Sequence, residues 1–441
     1  MINEETDLLT RVGPGTPMGN LLRQYWIPAL MASELAEQDG VPLRVRLLGE
    51  NLIAFRDTSG RVGLLADHCS HRGASLFFGR NEDDGLRCVY HGWKYDVSGR
   101  CVDMPNEPPE SNFQDRIRHP SYPCIEQAGV IWAYLGPRAK LPGLPELEWL
   151  SLPDSHLQHA TMVRECNWVQ ALEGDIDSSH VSFLHRSLRL EDDVASNVNR
   201  AREQSKFWEY EHNDRSPWLE VVPTEYGVTY GARRNAEADT YYWRIAQFLL
   251  PFFTMIPPIG PRAGVGTRIW VPIDDEHTMY WSVSANPLRP LSTEERSRWG
   301  TGAPLAGDYL PATSDWLGRW RLAANSASDY GIDRERQRTG TYTGITGTNL
   351  QDQAMTESMG PIYDRSREHL GGADAMIIQF RRRIADAAIA LRDQGIVPPG
   401  VDDPSVYRVR PASVVLPREA NWIKAAHEYL VSRPGVPVAS I

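Results

Sequence analysis

The chain has 441 residues, which is enough for roughly two or three domains with a sizeable core. Its 41% hydrophobic and 23% charged residues are ordinary for a globular protein, and a formal net charge of −11 argues against nonspecific nucleic-acid binding. The sequence contains no run of about twenty apolar residues, so it predicts no membrane-spanning helix. The acidic N-terminus lacks a signal-peptide core, and an odd total of five cysteines fits reduced thiols in the cytoplasm.

The first part of the chain predicts a short helical segment followed by a β-rich unit. Residues 17–36 are expected to form a helix interrupted at Pro28, within an N-terminal segment, residues 1–37, that packs on a later domain. Alternating apolar residues over 41–47 predict a half-buried strand, and Asp57–Gly60 predicts a hairpin turn. We expect the β-rich domain to cover residues 38–136 and a second domain to cover 137–441, joined through a proline-rich linker.

Within the β-rich unit, two short motifs each offer one cysteine and one histidine. They are Cys69-Ser70-His71 and Cys88-Val89-Tyr90-His91. Two thiolates and two imidazoles can hold either a zinc ion or a [2Fe–2S] cluster. A zinc finger more often pairs its cysteines in one loop and its histidines in the other. A Rieske cluster has two cysteines on one iron and two histidines on the other, so the mixed loops favour the cluster. A structural zinc site is the alternative.

The residues around these motifs carry a resemblance to a known family. The segment CSHRGASLFFG…GLRCVYHGWKYDVSGRC resembles the Rieske domain of aromatic-ring oxygenases over its whole length. Respiratory Rieske proteins have an additional cysteine in each loop, and the matching positions here are not cysteine. The resemblance therefore implies one [2Fe–2S] cluster per chain, bound by Cys69, His71, Cys88 and His91.

A second group of candidate ligands follows the linker, in the stretch NWVQALEGDIDSSHVSFLH over residues 167–185. Asp177 and His180 are three residues apart and are expected to share a helix face. His180 and His185 would lie roughly 140° apart on an ideal helix, so both reach one ion only if the helix ends or widens. We therefore expect a π-type bulge between them. Two imidazoles and a carboxylate suit ferrous iron with open positions, and two purely structural histidines are the alternative.

The spacing Glu173-x3-Asp177-x2-His180-x4-His185 is similar to the iron signature of Rieske oxygenase α subunits. By that resemblance His180 and His185 bind Fe(II). Asp177 is then not a ligand but joins His180 to a Rieske histidine across a subunit interface. Glu173 is implied to be a local charge near that interface.

The second half of the chain predicts further strands, an insertion and a long helix. The stretch YYWRIAQF, residues 241–248, alternates as a strand and places Arg244 on a face with aromatic and small residues. A buried arginine is costly unless paired, so Arg244 either makes a structural ion pair or binds a substrate carboxylate. Residues 287–320 form a polar insertion, a candidate lid or subunit contact. Apolar spacing predicts a helix from Ala373 to Gln394 that ends at Gly395.

Residues 351–360, QDQAMTESMG, resemble the family segment that supplies the third iron ligand, a carboxylate. We assign this ligand to Asp352, with Glu357 as the competitor. The surrounding sequence, from DYGIDRERQR to YDRSREHLG, resembles the phthalate 4,5-dioxygenase branch, which also contains phenoxybenzoate dioxygenases and methoxyaryl O-demethylases. The resemblance spans nearly the whole chain. It departs at Gly331 and Thr348, where apolar residues are expected, and these departures leave the substrate open.

The resemblance implies an α+β fold, with a β-rich Rieske domain and a helix-grip catalytic domain in which an antiparallel sheet surrounds the long C-terminal helix. It implies a terminal oxygenase component that uses O2 to hydroxylate an aromatic carboxylate, held by Arg244 and a second basic residue, Arg215. Electrons would come from a separate flavin and ferredoxin-type NADH reductase, to a homotrimer or stacked trimers. The chain has no Gly-x-Gly-x-x-Gly fingerprint for binding NADH itself.

Four other functions stay open at this point. Two are oxidative: O-demethylation of a methoxyaryl compound and angular dioxygenation of a diaryl ether acid. Both would use the same iron, so the residues do not separate them from ring hydroxylation. The third is a plain Fe–S electron-transfer protein, which gives no reason for His180, His185 and Asp352. The fourth is a zinc-stabilised binding module.

Overall fold

A computed structural model of the chain describes residues 4–439 except 109, 138, 140, 190, 192–204, 260–263, 294, 297–307 and 434. Two β-rich portions follow one another along the chain. A continuous hydrophobic core joins them, with Trp132 from the first portion packed in a stack on Trp149 at the start of the second. Among the helices so described, none combines the length and apolarity that crossing a membrane requires.

The N-terminal segment is α-helical only as far as Leu22, and its one later helical turn is a 3-10 helix over Ala32–Leu35. Helices α1 (Glu4–Thr10) and α2 (Pro17–Leu22) are followed by strand β1 (Trp26–Met31), so the expected helix over 17–36 is wrong. Pro28 has no N–H to continue a helix, but β1 is an edge strand with a register shift next to Pro28, where proline is tolerated. The apolar residues Trp26–Met31 are therefore stabilised more by pairing with β10 than by forming a helix.

The first β-rich portion contains three small antiparallel sheets, in the orders β1-β10-β9, β2-β3-β4 and β5-β6-β7-β8. The hairpin predicted at Asp57–Gly60 joins β3 to β4, with the Gly60 N–H donating to the Asp57 carbonyl at 2.9 Å. Gly60 has a φ of 82°, which favours glycine at this position. The remaining strands are β2 (Leu43–Leu47), β3 (Glu50–Arg56), β4 (Val62–Ala66), β5 (Arg80–Glu82), β6 (Gly85–Arg87), β7 (Lys94–Tyr95), β8 (Cys101–Asp103), β9 (Cys124–Gln127) and β10 (Val130–Tyr134).

The second portion is built on one eight-stranded antiparallel sheet. Its order is β11-β17-β16-β15-β14-β13-β12, and β18 also pairs with β14. The strands are β11 (Leu157–Arg164), β12 (Trp218–Pro223), β13 (Gly227–Asn235), β14 (Thr240–Leu249), β15 (Phe253–Met255), β16 (Val265–Pro272), β17 (Thr278–Ala285) and β18 (Ala412–Pro417). The helices are α3 (Trp168–Ile176), α4 (Val181–Leu184), α5 (Phe207–Asn213), α6 (Arg334–Thr339), α7 (Thr348–Ser358), α8 (Ala375–Gln394) and α9 (Trp422–Leu430).

The long helix α8 lies across this sheet, as the predicted helix-grip fold requires. Its Phe380 meets Phe248 of β14 and Trp168 of α3, with ring centroids 4.7 and 6.2 Å apart. The helix ends at Gly395, whose left-handed conformation closes it as predicted. Helix α2 packs against α8, so the N-terminal helices rest on the second portion. The α+β class with an antiparallel sheet around a long C-terminal helix is confirmed.

Part of the predicted insertion over 287–320 lies outside the described residues. Its described end ties the two portions of the chain together. Arg319 pairs with Glu34, and the guanidinium of Arg44 donates to the carbonyl of Ser314 at 2.7 Å. Arg44 also lies 5.4 Å from the centre of the Trp316 ring. On the other side, the N–H of Val163 in β11 donates to the carbonyl of Trp320 at 2.9 Å. This segment therefore joins the first portion to the eight-stranded sheet, and its role as a lid or subunit contact stays a prediction.

Candidate metal centres and active site

The two cysteine–histidine loops have the same backbone design. In each loop, the N–H of the cysteine donates to the carbonyl of the residue five positions later. The carbonyl of the same cysteine accepts a hydrogen bond from the N–H of a glycine four positions later. Positive φ angles of 77° and 83° at these glycines allow the tight turns. The four hydrogen bonds join Cys69 to Ala74 and Gly73, and Cys88 to Trp93 and Gly92, at 2.8 to 2.9 Å. The chain thus presents two equivalent loops.

The side chains of these loops fit a [2Fe–2S] cluster. Both thiols are buried, whereas the two imidazoles are half-buried, with ring centroids 4.5 Å apart. Nδ1 of His71 is buried with no hydrogen-bond partner among the described residues, so its lone pair is available to a metal. The hydroxyl of Tyr95 lies 3.2 Å from Sγ of Cys69. Inward thiols and outward imidazoles are the donor set that a Rieske cluster needs.

Three side chains converge at the second centre. Nε2 of His180 and Nε2 of His185 are 3.0 Å apart. Oδ1 of Asp352 lies 3.1 Å from Nε2 of His185 and 3.6 Å from Nε2 of His180. Over the described ranges, these three form the one group of histidine, cysteine and acidic residues whose ligand atoms all lie within 4.8 Å of one another. Two imidazoles and one carboxylate on one side suit a mononuclear ferrous ion with open positions.

A break in the backbone, not a π-type bulge, brings the two histidines together. Helix α3 ends at Ile176, and Asp177 is extended, with φ −86° and ψ 110°. The Asp177 carboxylate accepts a hydrogen bond from the N–H of Ser179 at 2.6 Å, which competes with helix continuation. His180 and His185 then flank the short helix α4. The expected bulge is therefore wrong, as is the expectation that Asp177 and His180 share a helix face.

Each histidine is held at the nitrogen that faces away from the centre. Nδ1 of His180 lies 3.5 Å from Oδ2 of Asp177, and Nδ1 of His185 lies 2.7 Å from Oε1 of Gln351. These contacts leave both Nε2 atoms free to bind a metal. Burial raises the pKa of Asp352, but the neighbouring His185 and His180 outweigh it and lower the pKa to about 2. The carboxylate is therefore ionised and ready to bind a cation.

The competing carboxylate, Glu357, is fully engaged elsewhere. Its Oε1 accepts hydrogen bonds from the N–H of Glu165 at 2.9 Å and from Gln353 at 2.8 Å. Its Oε2 accepts from the Tyr330 hydroxyl at 2.8 Å. Burial raises the pKa of Glu357. Glu173 is likewise occupied, in ion pairs with Arg365 and Arg381 at 3.3 and 2.6 Å.

A groove of about 960 Å³ opens on one side of the second centre. Asp177 and His180 line it, together with Phe183, Met355 and Met359. Phe183, Met355 and Met359 are partly exposed apolar side chains, at 41%, 42% and 46%. An apolar surface of this kind beside a candidate metal centre is suited to contact with another protein surface.

The face of the sheet that carries Arg244 packs against Phe207 of α5. The Arg244 side chain is 5% exposed, lies 4.7 Å from the centre of the Phe207 ring, and donates to the carbonyl of Pro257 at 3.4 Å. No carboxylate of the described residues lies within 4.0 Å of it, and its Nη1 has no partner there. The structural ion pair on this face is made instead by Arg234 with Glu211, at 2.7 Å. Arg244 is therefore a buried cation without a counter-charge among the described residues.

Arg215 is placed differently from Arg244. It lies in the loop between α5 and β12 and is exposed. The fold therefore does not bring it onto the buried face that carries Arg244. Its contact with a substrate stays a prediction.

Comparison with known proteins places these two centres in a wider context. Residues 25–123 match the Rieske [2Fe-2S] domain, and residues 133–435 match the family described as LigXa C-terminal domain like. The chain is 43% identical to the 3-chlorobenzoate-3,4-dioxygenase oxygenase subunit of Comamonas testosteroni, over 96% of both chains. It is 40% identical to the phthalate 4,5-dioxygenase oxygenase subunit of Pseudomonas putida, over 88% of this chain and 86% of that one.

A solved structure supports the fold as well. The chain is similar to a carbazole-bound oxygenase in a ferredoxin complex of carbazole 1,9a-dioxygenase, with a TM-score of 0.55 and 19% identity. The match covers 90% of this chain and 98% of the other. At this identity the likeness bears on the fold alone.

Proposed function

Because this chain belongs to the Rieske non-heme iron oxygenases, as an oxygenase component with a [2Fe–2S] cluster and a mononuclear iron that uses O2, we propose that it hydroxylates an aromatic carboxylate. Family membership excludes the zinc-binding module and the plain electron-transfer protein. The relatives named for 3-chlorobenzoate and phthalate support a carboxylate substrate.

The observation that carries the substrate class is the unpaired, buried charge of Arg244. A buried ion without a counter-charge costs several kcal/mol, and a substrate carboxylate in contact with it would offset that cost. The planar guanidinium of Arg244 matches a carboxylate with two parallel hydrogen bonds, and the Phe207 ring lies close enough to restrict its plane. Such a charge-assisted contact contributes about 1.5–3 kcal/mol, which is on the order of tenfold to a hundredfold in affinity.

We assign Cys69, His71, Cys88 and His91 to the cluster, one cysteine and one histidine from each loop. His180, His185 and Asp352 are assigned to the iron, which when bound supplies the open coordination positions for oxygen activation. The protein's own residues orient this centre. Asp177 and Gln351 hold the outer nitrogens of the two histidines, which keeps both Nε2 lone pairs directed at one point.

Electron entry is proposed at Asp177, across a subunit interface. Val89 and Tyr90, on the loop between Cys88 and His91, are both 57% exposed. This apolar tip complements the groove beside Asp177, so the cluster loop of one chain would dock in the groove of the next. Repeated head to tail, the contact closes into a homotrimer, alone or stacked. A separate flavin and ferredoxin-type NADH reductase supplies the electrons. The five free cysteines fit a cytoplasmic location.

The test compares benzoates with the corresponding neutral benzamides, using the holoenzyme with an NADH-dependent reductase. We expect kcat/KM to be at least about tenfold higher for the acids. Arg244→Met should abolish that preference, and Arg244→Lys should weaken it because lysine keeps the charge but loses the planar fork. Arg233→Lys is the matched control, since Arg233 is on the neighbouring strand, half-buried and stacked on Tyr241.

Three products are measured, because they separate the candidate reactions. Hydroxylated acids support the proposal. Formaldehyde released from methoxybenzoates would instead identify an O-demethylase, and cleavage of phenoxybenzoates would identify angular dioxygenation. Equal turnover of acid and amide by the wild type would contradict the carboxylate assignment.

A further inference from the structure

A second arginine, Arg268, lies on the same face of the sheet as Arg244. It lies on β16 opposite Thr254 of β15, and both side chains contact Asp175 at the end of α3. The Arg268 side chain is nevertheless 31% accessible. Part of the Arg268 side chain therefore stays accessible on the face of the sheet against which α3 packs.

There is room for a ligand beside Arg268. Gly266, two residues earlier on the same face, is exposed, and a Cβ built on it would meet no atom of the described residues within 4 Å. Burial acts to lower the pKa of Arg268, but the carboxylates of Asp175 and Asp352 outweigh this effect and raise the pKa. The charge of the candidate iron ligand Asp352 is therefore felt at Arg268.

The guanidinium of Arg268 retains donors for a ligand. Nη1 contacts Oδ1 of Asp175, and no other hydrogen bond joins this guanidinium to the part of the chain that the structure describes. Oδ2 of Asp175 is taken by Thr254 and Trp270. Asp175 itself is buried, with its side chain 2% exposed. The accessible N–H groups of Arg268 therefore belong to a guanidinium whose charge is already compensated by Asp175.

The two arginines differ in charge balance, and this difference determines what each can bind. Arg244 has no counter-charge in the described part of the chain and favours an anion. Arg268 offers N–H donors with its positive charge compensated, which favours a neutral hydrogen-bond acceptor over a second carboxylate. The strand register separates them by two strands and four residues, roughly 16 Å between Cα atoms. No single substituent can contact both.

We infer that Arg268 is a substrate-binding residue, and that the substrate is an aromatic monocarboxylate carrying a neutral acceptor oxygen on the side of the ring away from the carboxylate. This inference rests on the proposed function, since it takes Arg244 as the carboxylate site. Arg268 would contact the acceptor and discriminate against aromatic dicarboxylates. Asp175 is a positioning residue that sets this preference by compensating the charge of Arg268.

The test uses near-isosteric ligands that differ in charge at one end. Calorimetric dissociation constants are measured anaerobically on the holoenzyme for benzoate, 3- and 4-acetylbenzoate, isophthalate and terephthalate. We expect one acetylbenzoate to bind about tenfold more tightly than benzoate and than its matching dicarboxylate. Arg268→Met should remove the advantage over benzoate while leaving benzoate affinity unchanged. Asp175→Asn, which uncovers the charge of Arg268, should shift the preference toward the dicarboxylate by about tenfold.

Arg233→Met, on the same sheet but the opposite face, is the control and should leave the ligand order unchanged. The inference is overturned if the wild type prefers a dicarboxylate, if neither acetylbenzoate exceeds benzoate, or if Arg268→Met weakens benzoate as much as acetylbenzoate. Should Asp175→Asn fail to fold, the wild-type and Arg268→Met comparisons decide alone.

Failure of the carboxylate proposal would look different. Benzamide and acetylbenzamide are measured alongside the acids. If benzamide binds as tightly as benzoate, the role of Arg244 is wrong. The role of Arg268 is still tested by acetylbenzamide against benzamide, because that pair changes only the acceptor.

Discussion

His185 is contacted at both of its ring nitrogens by two consecutive residues of α7. Oε1 of Gln351 lies 2.7 Å from Nδ1, and Oδ1 of Asp352 lies 3.1 Å from Nε2. Gln351 is itself anchored, because its amide group donates to the carbonyl of Ile345 at 2.9 Å. The rotation of the imidazole is therefore fixed by the same helix that presents the carboxylate ligand.

Replacing Gln351 should weaken iron binding without affecting the cluster. Gln351→Leu removes the acceptor at Nδ1 of His185, and losing such a contact typically lowers metal affinity about 10- to 100-fold. Iron titration of protein with an intact cluster spectrum measures this. Gln353→Leu is the matched control on the same helix, because Gln353 binds Glu357 instead. An equal loss of iron affinity in Gln351→Leu and Gln353→Leu would contradict a specific role for Gln351.

The assignment of the third ligand is tested by exchanging carboxylates. Asp352→Ala should lose the mononuclear iron and keep the cluster. Glu357→Gln should keep both, and it should lower the free energy of unfolding by about 1–3 kcal/mol, because a buried hydrogen-bonded group is disturbed. Iron content and the cluster's electron-spin signal are the measurements. If Glu357→Gln loses iron and Asp352→Ala does not, the two roles must be exchanged.

The candidate ligand residues were predictable from the sequence where spacing and residue type carry chemistry. The structure brings His180, His185 and Asp352 together, although Asp352 is far along the chain. The backbone between the histidines was not predicted, since a π-type bulge and a helix end satisfy the same spacing. The helix ends here because the Asp177 carboxylate accepts a hydrogen bond from the N–H of Ser179, which competes with continuation of the helix.

Residues whose placement depends on long-range packing were missed. Gln351, Asp175 and Arg268 have no spacing pattern of their own, and their proposed roles depend on which strand faces which helix. The helix predicted over 17–36 failed because strand pairing is a long-range choice, here between β1 and β10. The proposed domain limits at residues 37 and 136 stay predictions.

Asp177→Asn should slow electron delivery while preserving both metal centres. Burial raises the pKa of Asp177, but the hydrogen bond and charge of His180 outweigh it and lower the pKa, so the residue is a carboxylate. Asparagine keeps the shape and removes the charge. We expect turnover to fall by about 10- to 100-fold or more.

The measurement is the rate at which substrate and O2 oxidise a pre-reduced cluster, together with iron content. Ser179→Ala is the control, because the Ser179 hydroxyl is buried without a hydrogen-bond partner in the described residues. Wild-type rates in Asp177→Asn would contradict the proposal that Asp177 joins His180 to a Rieske histidine of the next subunit. Loss of iron would instead make Asp177 a ligand.

The last prediction concerns stability against acid at the junction of the two portions. His159 of β11 packs against Trp149, and Gly129 in the turn between β9 and β10 lies beside its ring. Burial lowers the pKa of His159 to about 4, although a hydrogen bond to the backbone of Ala128 opposes the effect. The folded state therefore holds this imidazole neutral.

The unfolded state takes up a proton on His159 at a higher pH than the folded state does. Above about pH 6.5 both folded and unfolded states carry a neutral imidazole, so His159 adds no pH dependence. As the pH falls from about 6.5 to about 4, only the unfolded state takes up the proton, and stability drops by on the order of 3 kcal/mol. His159→Gln has no imidazole to protonate and should not show this loss. As the pH falls from 7 to 4, the free energy of unfolding of His159→Gln should therefore rise relative to that of the wild type, by on the order of 3 kcal/mol. Urea denaturation followed by tryptophan fluorescence measures it, with His427→Gln, at an exposed histidine of α9, as the control. Parallel pH profiles for wild type and His159→Gln would show that this imidazole is not held neutral at the junction.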